Sequence, residues 1–146
     1  MHKYMNKELN LCAVIMHSKP GYKTGKKNKI FDNLLNQNFT IDCKNKVWCT
    51  DFTYMRQPNG KFRYNCSIID LYDRSAVASL NSDYINTDLA ISTLNTALEN
   101  ENYPKVILHS DQRGQFTSWE FVNFCKENNI TQSMSKAGCP YDNAPM

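Results

Sequence analysis

Val106-Ile107-Leu108-His109-Ser110-Asp111-Gln112-Arg113-Gly114-Gln115-Phe116 is a short apolar, β-branched run that ends abruptly in a carboxylate, followed by amides and a glycine. The pattern predicts a buried strand that delivers an acidic side chain to the edge of a sheet. A second stretch of the same kind lies upstream, Val47-Trp48-Cys49-Thr50-Asp51-Phe52-Thr53-Tyr54-Met55, with its acid in the middle. A carboxylate in an aromatic-rich strand is costly unless something cationic compensates it. Two strands that each carry one predict a shared cation, and the question becomes whether that cation is a catalytic metal.

Outward from these two stretches the chain reads as strands and helices in the order βββαβαβ. After the Asp51 strand, Arg56-Gln57-Pro58-Asn59-Gly60 is a turn with the Asn-Gly hairpin signal. Lys61 to Asp70 is a second strand with Phe62, Tyr64, Cys66 and Ile68 on one face, and Ser75 to Leu80 a third. Asn86 to Asn100 is a helix with Asn86 or Thr87 as its cap and Leu89, Leu94, Ala97 and Leu98 inward. Pro104 starts the crossover to the Asp111 strand. Ser118 to Asn128 is a second helix, capped by Ser118, with Phe121, Phe124 and Cys125 inward, and Ile130 to Ser133 a last short strand. The order predicts an α/β fold with a mixed five-stranded sheet, three antiparallel strands and then two parallel, flanked by helices. Right-handed crossovers place the fourth strand beside the first and bring Asp51 and Asp111 together. Gly138 to Met146 is a loop with cap and proline chemistry for a further helix, which the sequence does not reach.

With 146 residues, 41% hydrophobic and 12% aromatic, the chain suffices for one packed domain and excludes wholesale disorder. No apolar run approaches the roughly 18 residues of a membrane helix, and Leu11 to Met16 is too short for a signal peptide; the expected location is the cytoplasm. Six cysteines without a Cys-x-x-Cys pair suit neither a zinc site nor a disulfide framework and are expected to be reduced and mostly buried. The net charge of +3 is divided: residues 1–50 hold nine lysines against Glu8, Asp32 and Asp42, whereas residues 51–146 are mildly acidic. Tyr4 to Met16 has helical apolar spacing. Ser18 to Lys29 is rich in breakers and carries Lys23, Lys26, Lys27 and Lys29, an exposed arm suited to lie along phosphates or, equally, a plain solvated linker. Ile30 to Phe39 is a short amphipathic segment with Phe31, Leu34 and Leu35 as its apolar face. The division predicts a basic helical and linker segment over 1–40 and a globular core over 41–146.

Trp48-x-Thr50-Asp51-x-Thr53-Tyr54, Ile69-Asp70-Leu71-Tyr72-Asp73-Arg74, His109-Ser110-Asp111-Gln112-x-Gly114-Gln115-Phe116-Thr117-Ser118, Gln132-Ser133-Met134-Ser135 and Tyr141-Asp142-Asn143-Ala144 occur in this order. Together they resemble the DDE transposases of bacterial insertion sequences, whose catalytic core is similar to retroviral integrase and has an RNase H-like fold. The resemblance covers about residues 30–146. It implies DNA transposition and integration, with DNA (transposon ends and target) and further copies of the chain as partners. It also implies that Asp51 and Asp111 are the first two carboxylates of a three-acid site for two Mg²⁺ ions, with Mn²⁺ as a substitute. Two divalent ions about 3.5–4 Å apart activate the attacking oxygen and stabilise the leaving one in phosphodiester hydrolysis and strand transfer.

Two departures stand out. The family usually has glycine where this chain has Arg113, so a positive φ there would strain the arginine. The third acid is expected after the 35 residues 112–146 that follow Asp111, where the sequence given stops; neither Asp142 nor Glu127 matches it, and this chain alone is expected to be inactive. His109, Gln112 and Lys136 are candidate DNA contacts, with a packed, satisfied histidine an equal reading for His109 and a plain solvated loop nearly equal for Lys136. Tyr141, Asp142 and Asn143 read as a supporting loop, the latter two as a helix cap. Asp70 and Asp73 read as turn caps or Arg74 partners. A non-enzymatic DNA-binding or dimerising remnant is the alternative function. A host nuclease of the same fold is disfavoured by the Gln-Ser-Met-Ser and Tyr-Asp-Asn-Ala motifs.

Overall fold

A computed structural model describes residues 29–145. The helix expected over residues 4–16, the arm residues Lys23, Lys26 and Lys27, and Cys12 lie outside the described residues.

β1 (Val47–Arg56), β2 (Phe62–Asp70) and β3 (Ala76–Ser82) form the antiparallel meander, followed by α1 (Thr87–Asn100) and β4 (Ile107–Ser110). A single helical turn, α2 (Gly114–Thr117), leads into α3 (Trp119–Glu127), β5 (Thr131–Met134) and a 3₁₀ turn, Pro140–Asn143. The sheet order is β3-β2-β1-β4-β5, with β4 parallel to both β1 and β5. The expected strand adjacency is therefore found. The Asn-Gly turn closes with Gly60 at φ +80°, a conformation that favours glycine. The side chains of Asn86 and Ser118 accept from the Leu89 and Phe121 N–H groups and so fix the starts of α1 and α3.

Strand alternation divides the sheet into two faces. Trp48, Phe52, Cys66, Ile68, Leu108 and Met134 join Leu89, Leu94, Ala97, Leu98, Phe116 and Phe121 in the main core beneath the helices. Val47, Cys49 and Leu71 on the opposite face form a smaller cluster closed by Leu35, with Phe39 and Ile41 packed against it. Phe31 meanwhile packs against the main core. Phe31, Leu35, Phe39 and Ile41 thus all lie against the sheet or its core. Leu34, expected on the apolar face of this segment, is instead exposed. Its backbone N–H donates to Ser133 Oγ at 3.0 Å.

Among the described residues no helix is long and apolar enough to cross a membrane. Cys49, Cys66 and Cys125 are buried, Cys43 and Cys139 exposed, and all five are free. Burial pushes the Cys49 and Cys125 thiols up to about 12, which leaves them unreactive.

Candidate active site

The parallel register pairs Val47 with Ile107, Trp48 with Leu108 and Cys49 with His109. Asp51 lies two residues on from Cys49 in β1, and Asp111 two on from His109, just past the end of β4. Both leave the hydrophobic interior there: their side chains are 28% and 25% exposed, respectively, enough to reach solvent and too little to be fully hydrated. They border an open cleft of about 590 Å³ whose further walls include Gln112, Lys136, Gly138 and Asn143.

Hydrogen bonding to this pair is sparse. Asp51 Oδ1 accepts its neighbour's N–H, Phe52, at 2.7 Å, and Oδ2 has a long 3.5 Å contact from Asn143 Nδ2. Asp111 Oδ1 accepts the Arg113 N–H at 3.0 Å. The remaining compensation comes from the Arg113 guanidinium, with Nε 2.8 Å from Asp111 Oδ2 and Nη1 3.5 Å from Asp51 Oδ1. Burial pushes the Asp111 carboxyl up, the Arg113 N–H and guanidinium oppose this, and the Asp51 charge adds to the rise. One guanidinium thus reaches both carboxylates. Arg113 has φ −62°, so the positive φ considered for it does not occur and no strain arises. The arginine in the left-handed region is Arg74, φ 61°, in the turn between β2 and β3.

His109 is fully buried, and both ring nitrogens are engaged. Its Nε2 lies 2.9 Å from the Asp142 carbonyl, which can only accept, so Nε2 carries the proton. Nδ1, 2.9 Å from Ser133 Oγ, then accepts from that hydroxyl, whose oxygen in turn accepts the Leu34 N–H. Burial lowers the histidine's pKa and keeps it neutral. This corrects the expectation that His109 contacts DNA: it is the packed, satisfied histidine.

Asp142 is also buried, and its carboxylate accepts from Lys136 N–H, Gln37 Nε2 and Asn33 Nδ2 at 2.8 to 3.0 Å. These donors, the Lys136 N–H foremost, hold its pKa below the usual carboxylate range. The Asp142 carboxylate thus ties the 3₁₀ turn to Asn33 and Gln37. Asn143 follows it into the cleft wall, with its Oδ1 buried and without a hydrogen-bond partner. Sequence reasoning missed Asn33 and Gln37, because their partners lie 109 and 105 residues away. Of the other candidates, Gln112 lines the cleft and donates to the Ser135 carbonyl, Lys136 has an exposed side chain at its lip, and Tyr141 is 75% exposed. Lys29 sits apart from them, with its ammonium 4.9 Å from the Phe31 ring centroid. Asp70 is fully buried and accepts from Asn45 N–H, Tyr72 N–H and Trp48 Nε1, while Asp73 accepts from Ser75 N–H.

The donor set fits a hard divalent cation. Asp51 and Asp111 present carboxylate oxygens to an open cleft, and the Asn143 side chain in its wall turns Nδ2 toward Asp51 while its Oδ1 is buried and orphaned. No group of three acidic, histidine or cysteine side chains converges on one point among the described residues. An open, partial oxygen shell is what Mg²⁺ tolerates, since it retains several waters.

Comparison with known proteins converges on one family. Transposase InsF for insertion sequence IS3A of Escherichia coli K12 is 36% identical over 116 residues, 79% of this chain and 40% of the relative. The insertion element IS600 uncharacterized 31 kDa protein of Shigella sonnei is 32% identical over 115 residues, 78% of this chain and 42% of the relative. The chain thus spans about two fifths of the length of these curated relatives. The fold is shared with a chain of the simian T-cell lymphotropic virus intasome, solved in complex with PP2A regulatory subunit B56 gamma (TM-score 0.66, 16% identity, 83% of this chain, 41% of that one). It is shared also with the HTLV-2 integrase catalytic core domain in complex with magnesium, dimeric form (TM-score 0.56, 20% identity, 62% of this chain, 60% of that one). The mixed five-stranded sheet with its helices is accordingly RNase H-like. The integrase core domain (rve) matches residues 42–140, more than half of the sequence, and this chain belongs to that family.

Proposed function

We propose that this chain is the catalytic-core portion of an insertion-sequence DDE transposase, and that Asp51 and Asp111 are its first two metal-binding carboxylates. The observation that carries this reading is that Asp51 on β1 and Asp111, one residue past the end of the parallel strand β4, border one cleft with a single guanidinium between them. Bound there, two Mg²⁺ ions, or Mn²⁺ in their place, would supply activation of the attacking oxygen and stabilisation of the leaving one in phosphodiester hydrolysis and strand transfer. The chain's own part is to hold the two carboxylates in register through the β1–β4 pairing. Gln112 and Lys136 flank the phosphodiester path, Lys136 as a point charge. Tyr141, Asp142 and Asn143 brace the wall of the cleft. The DNA partners are transposon ends and target, gathered by a basic segment within residues 1–40 through Lys23, Lys26, Lys27 and Lys29. Residues 41–146 hold the integrase core. Assembly is as a homo-oligomer, and the place of action is the bacterial cytoplasm, at the nucleoid.

Two carboxylates make a partial shell, and among the described residues no third acid joins them. That favours a second reading, a DNA-binding or dimerising remnant without catalysis. A Mn²⁺ titration of the chain, followed by NMR, separates the two. Selective broadening of the Asp51 and Asp111 signals, lost in Asp51→Asn, is the expected result. No perturbation at millimolar metal would leave only the remnant.

A further inference from the structure

We propose that Arg113 is a tethered counter-ion that occupies the cation position between Asp51 and Asp111 and must be displaced before a divalent metal can load. The inference rests on the reading of those two acids as metal ligands. It adds that access to them is gated by a side chain of the same site.

The geometry carries the argument. Arg113 follows Asp111 by two residues, and its extended backbone, φ −62° and ψ 150°, sends the side chain back over the carboxylates. Nε meets Asp111 at 2.8 Å while Nη1 meets Asp51 at 3.5 Å, so one planar cation spans both acids. A guanidinium offers a rigid fork of donors and never loses its charge, which makes it a persistent occupant. Two carboxylates and one guanidinium leave a single net negative charge, a poor attractor for a divalent ion. With the guanidinium gone, the local charge is doubled, Asp111 Oδ2 is free, and Asp51 Oδ1 keeps only its bond from the Phe52 N–H. A metal therefore competes with an intramolecular ligand, whose effective concentration depends on no solute.

The displaced side chain also has somewhere to go. Its Nη1 is 3.4 Å from the Phe52 carbonyl, and its Cζ is 5.7 Å from the centroid of the Tyr54 ring, itself 54% exposed. Both partners lie on β1, at and beyond the residue that follows Asp51. Rotation toward Tyr54 keeps a carbonyl and an aromatic face for the cation. It also turns the fork outward, where a DNA phosphate would meet it.

The test is Mn²⁺ binding to the full chain by calorimetry, without DNA, compared among the parent, Arg113→Gln, Arg113→Lys and Asp51→Asn with Arg113→Gln. Arg113→Gln is expected to bind at least tenfold more tightly than the parent. Arg113→Lys, which keeps the charge without the fork, should fall between them, and the double variant should lose the gain. A second readout guards against a folding artefact. In chelator, Arg113→Gln should melt below the parent, because the two acids then face each other uncompensated, and Mn²⁺ should raise its midpoint more than it raises the parent's. Equal affinity in parent and Arg113→Gln, abolished in the double variant, would overturn the gate and leave the metal site intact. Absence of binding in every variant would overturn both.

Discussion

Asp70 and the Asp51–Asp111 pair are carried by neighbouring strands of one sheet and are compensated in opposite ways. Asp70 sits opposite Trp48, sealed from water, with three N–H donors converging on it: Asn45 at 2.6 Å, Tyr72 at 2.8 Å and the Trp48 indole at 3.3 Å. It needs no cation. Asn45 adopts φ 61° to present its N–H, and local backbone has been shaped around the acid. Asp51 and Asp111 are partly open and take only N–H groups from their own chain neighbours, a long amide contact and the fork of one arginine. A buried acid supplied with neutral donors is structure. A pair left short of them, at the mouth of a cleft, is a place for a cation to enter.

The largest effect that would break this contrast is at Asp70. Asp70→Ala strips three buried donors of a charged acceptor, and hydrogen bonds to charged groups contribute about 1.5–3 kcal/mol each, without being additive. A loss of at least about 3 kcal/mol is expected from urea unfolding, together with weakened ordering of the turn from Leu71 to Ser75. A loss under about 1 kcal/mol would mean that water already reaches this acid, and that the two regions do not differ in kind.

A second, intermediate effect concerns acid. His109 and Asp142 have folded pKa values below their ordinary ones, the first through burial, the second through the N–H groups that its carboxylate accepts. Each binds its proton more readily when unfolded. The stability they confer is complete above their unfolded values and drains as pH falls, first for His109 below about 6.5, then for Asp142 below the usual carboxylate range. Asp142→Asn should therefore be less stable than the parent at neutral pH and should lose less on acidification. Urea midpoints measured along a descending pH series check this, and parallel curves would refute the assignment to Asp142.

Periodicity made the strands legible, cap chemistry the helix starts near Asn86 and at Ser118, and crossover handedness the adjacency of the strands that lead to Asp51 and Asp111. Each of these is encoded within a few residues or follows from the handedness of crossovers. What escaped is what depends on contacts distant in sequence. Ser133 Oγ serves both Leu34 and His109, and Asp142 joins Asn33 to Gln37; no local pattern marks a serine or an aspartate as such a hub. Arg113 escaped for a different reason. Its spacing from Asp111 was visible, but whether a side chain turns toward an acid or toward solvent depends on backbone angles, and here φ and ψ are those of an ordinary extended residue.

The smallest effect sharpens the comparison most. Asp51→Asn, in the metal-free protein, is expected to change unfolding stability by less than about 1 kcal/mol in either direction, because partly exposed ion pairs contribute little. The amide keeps an oxygen for the Phe52 N–H at Oδ1, and it relieves the like charge that adds to the upward push on Asp111. What is lost is one of two contacts to Arg113, the 3.5 Å one, while the 2.8 Å contact to Asp111 remains. The same exchange of carboxylate for amide at Asp70 would introduce an amino group among converging N–H donors, where nothing accepts it. Isosteric changes at two acids of one sheet thus separate by their cost in the absence of any ligand. Should Asp51→Asn instead destabilise as much as a change at Asp70, the Asp51–Asp111 pair would be a structural ion cluster, and the cleft would lose its claim to be built for a cation.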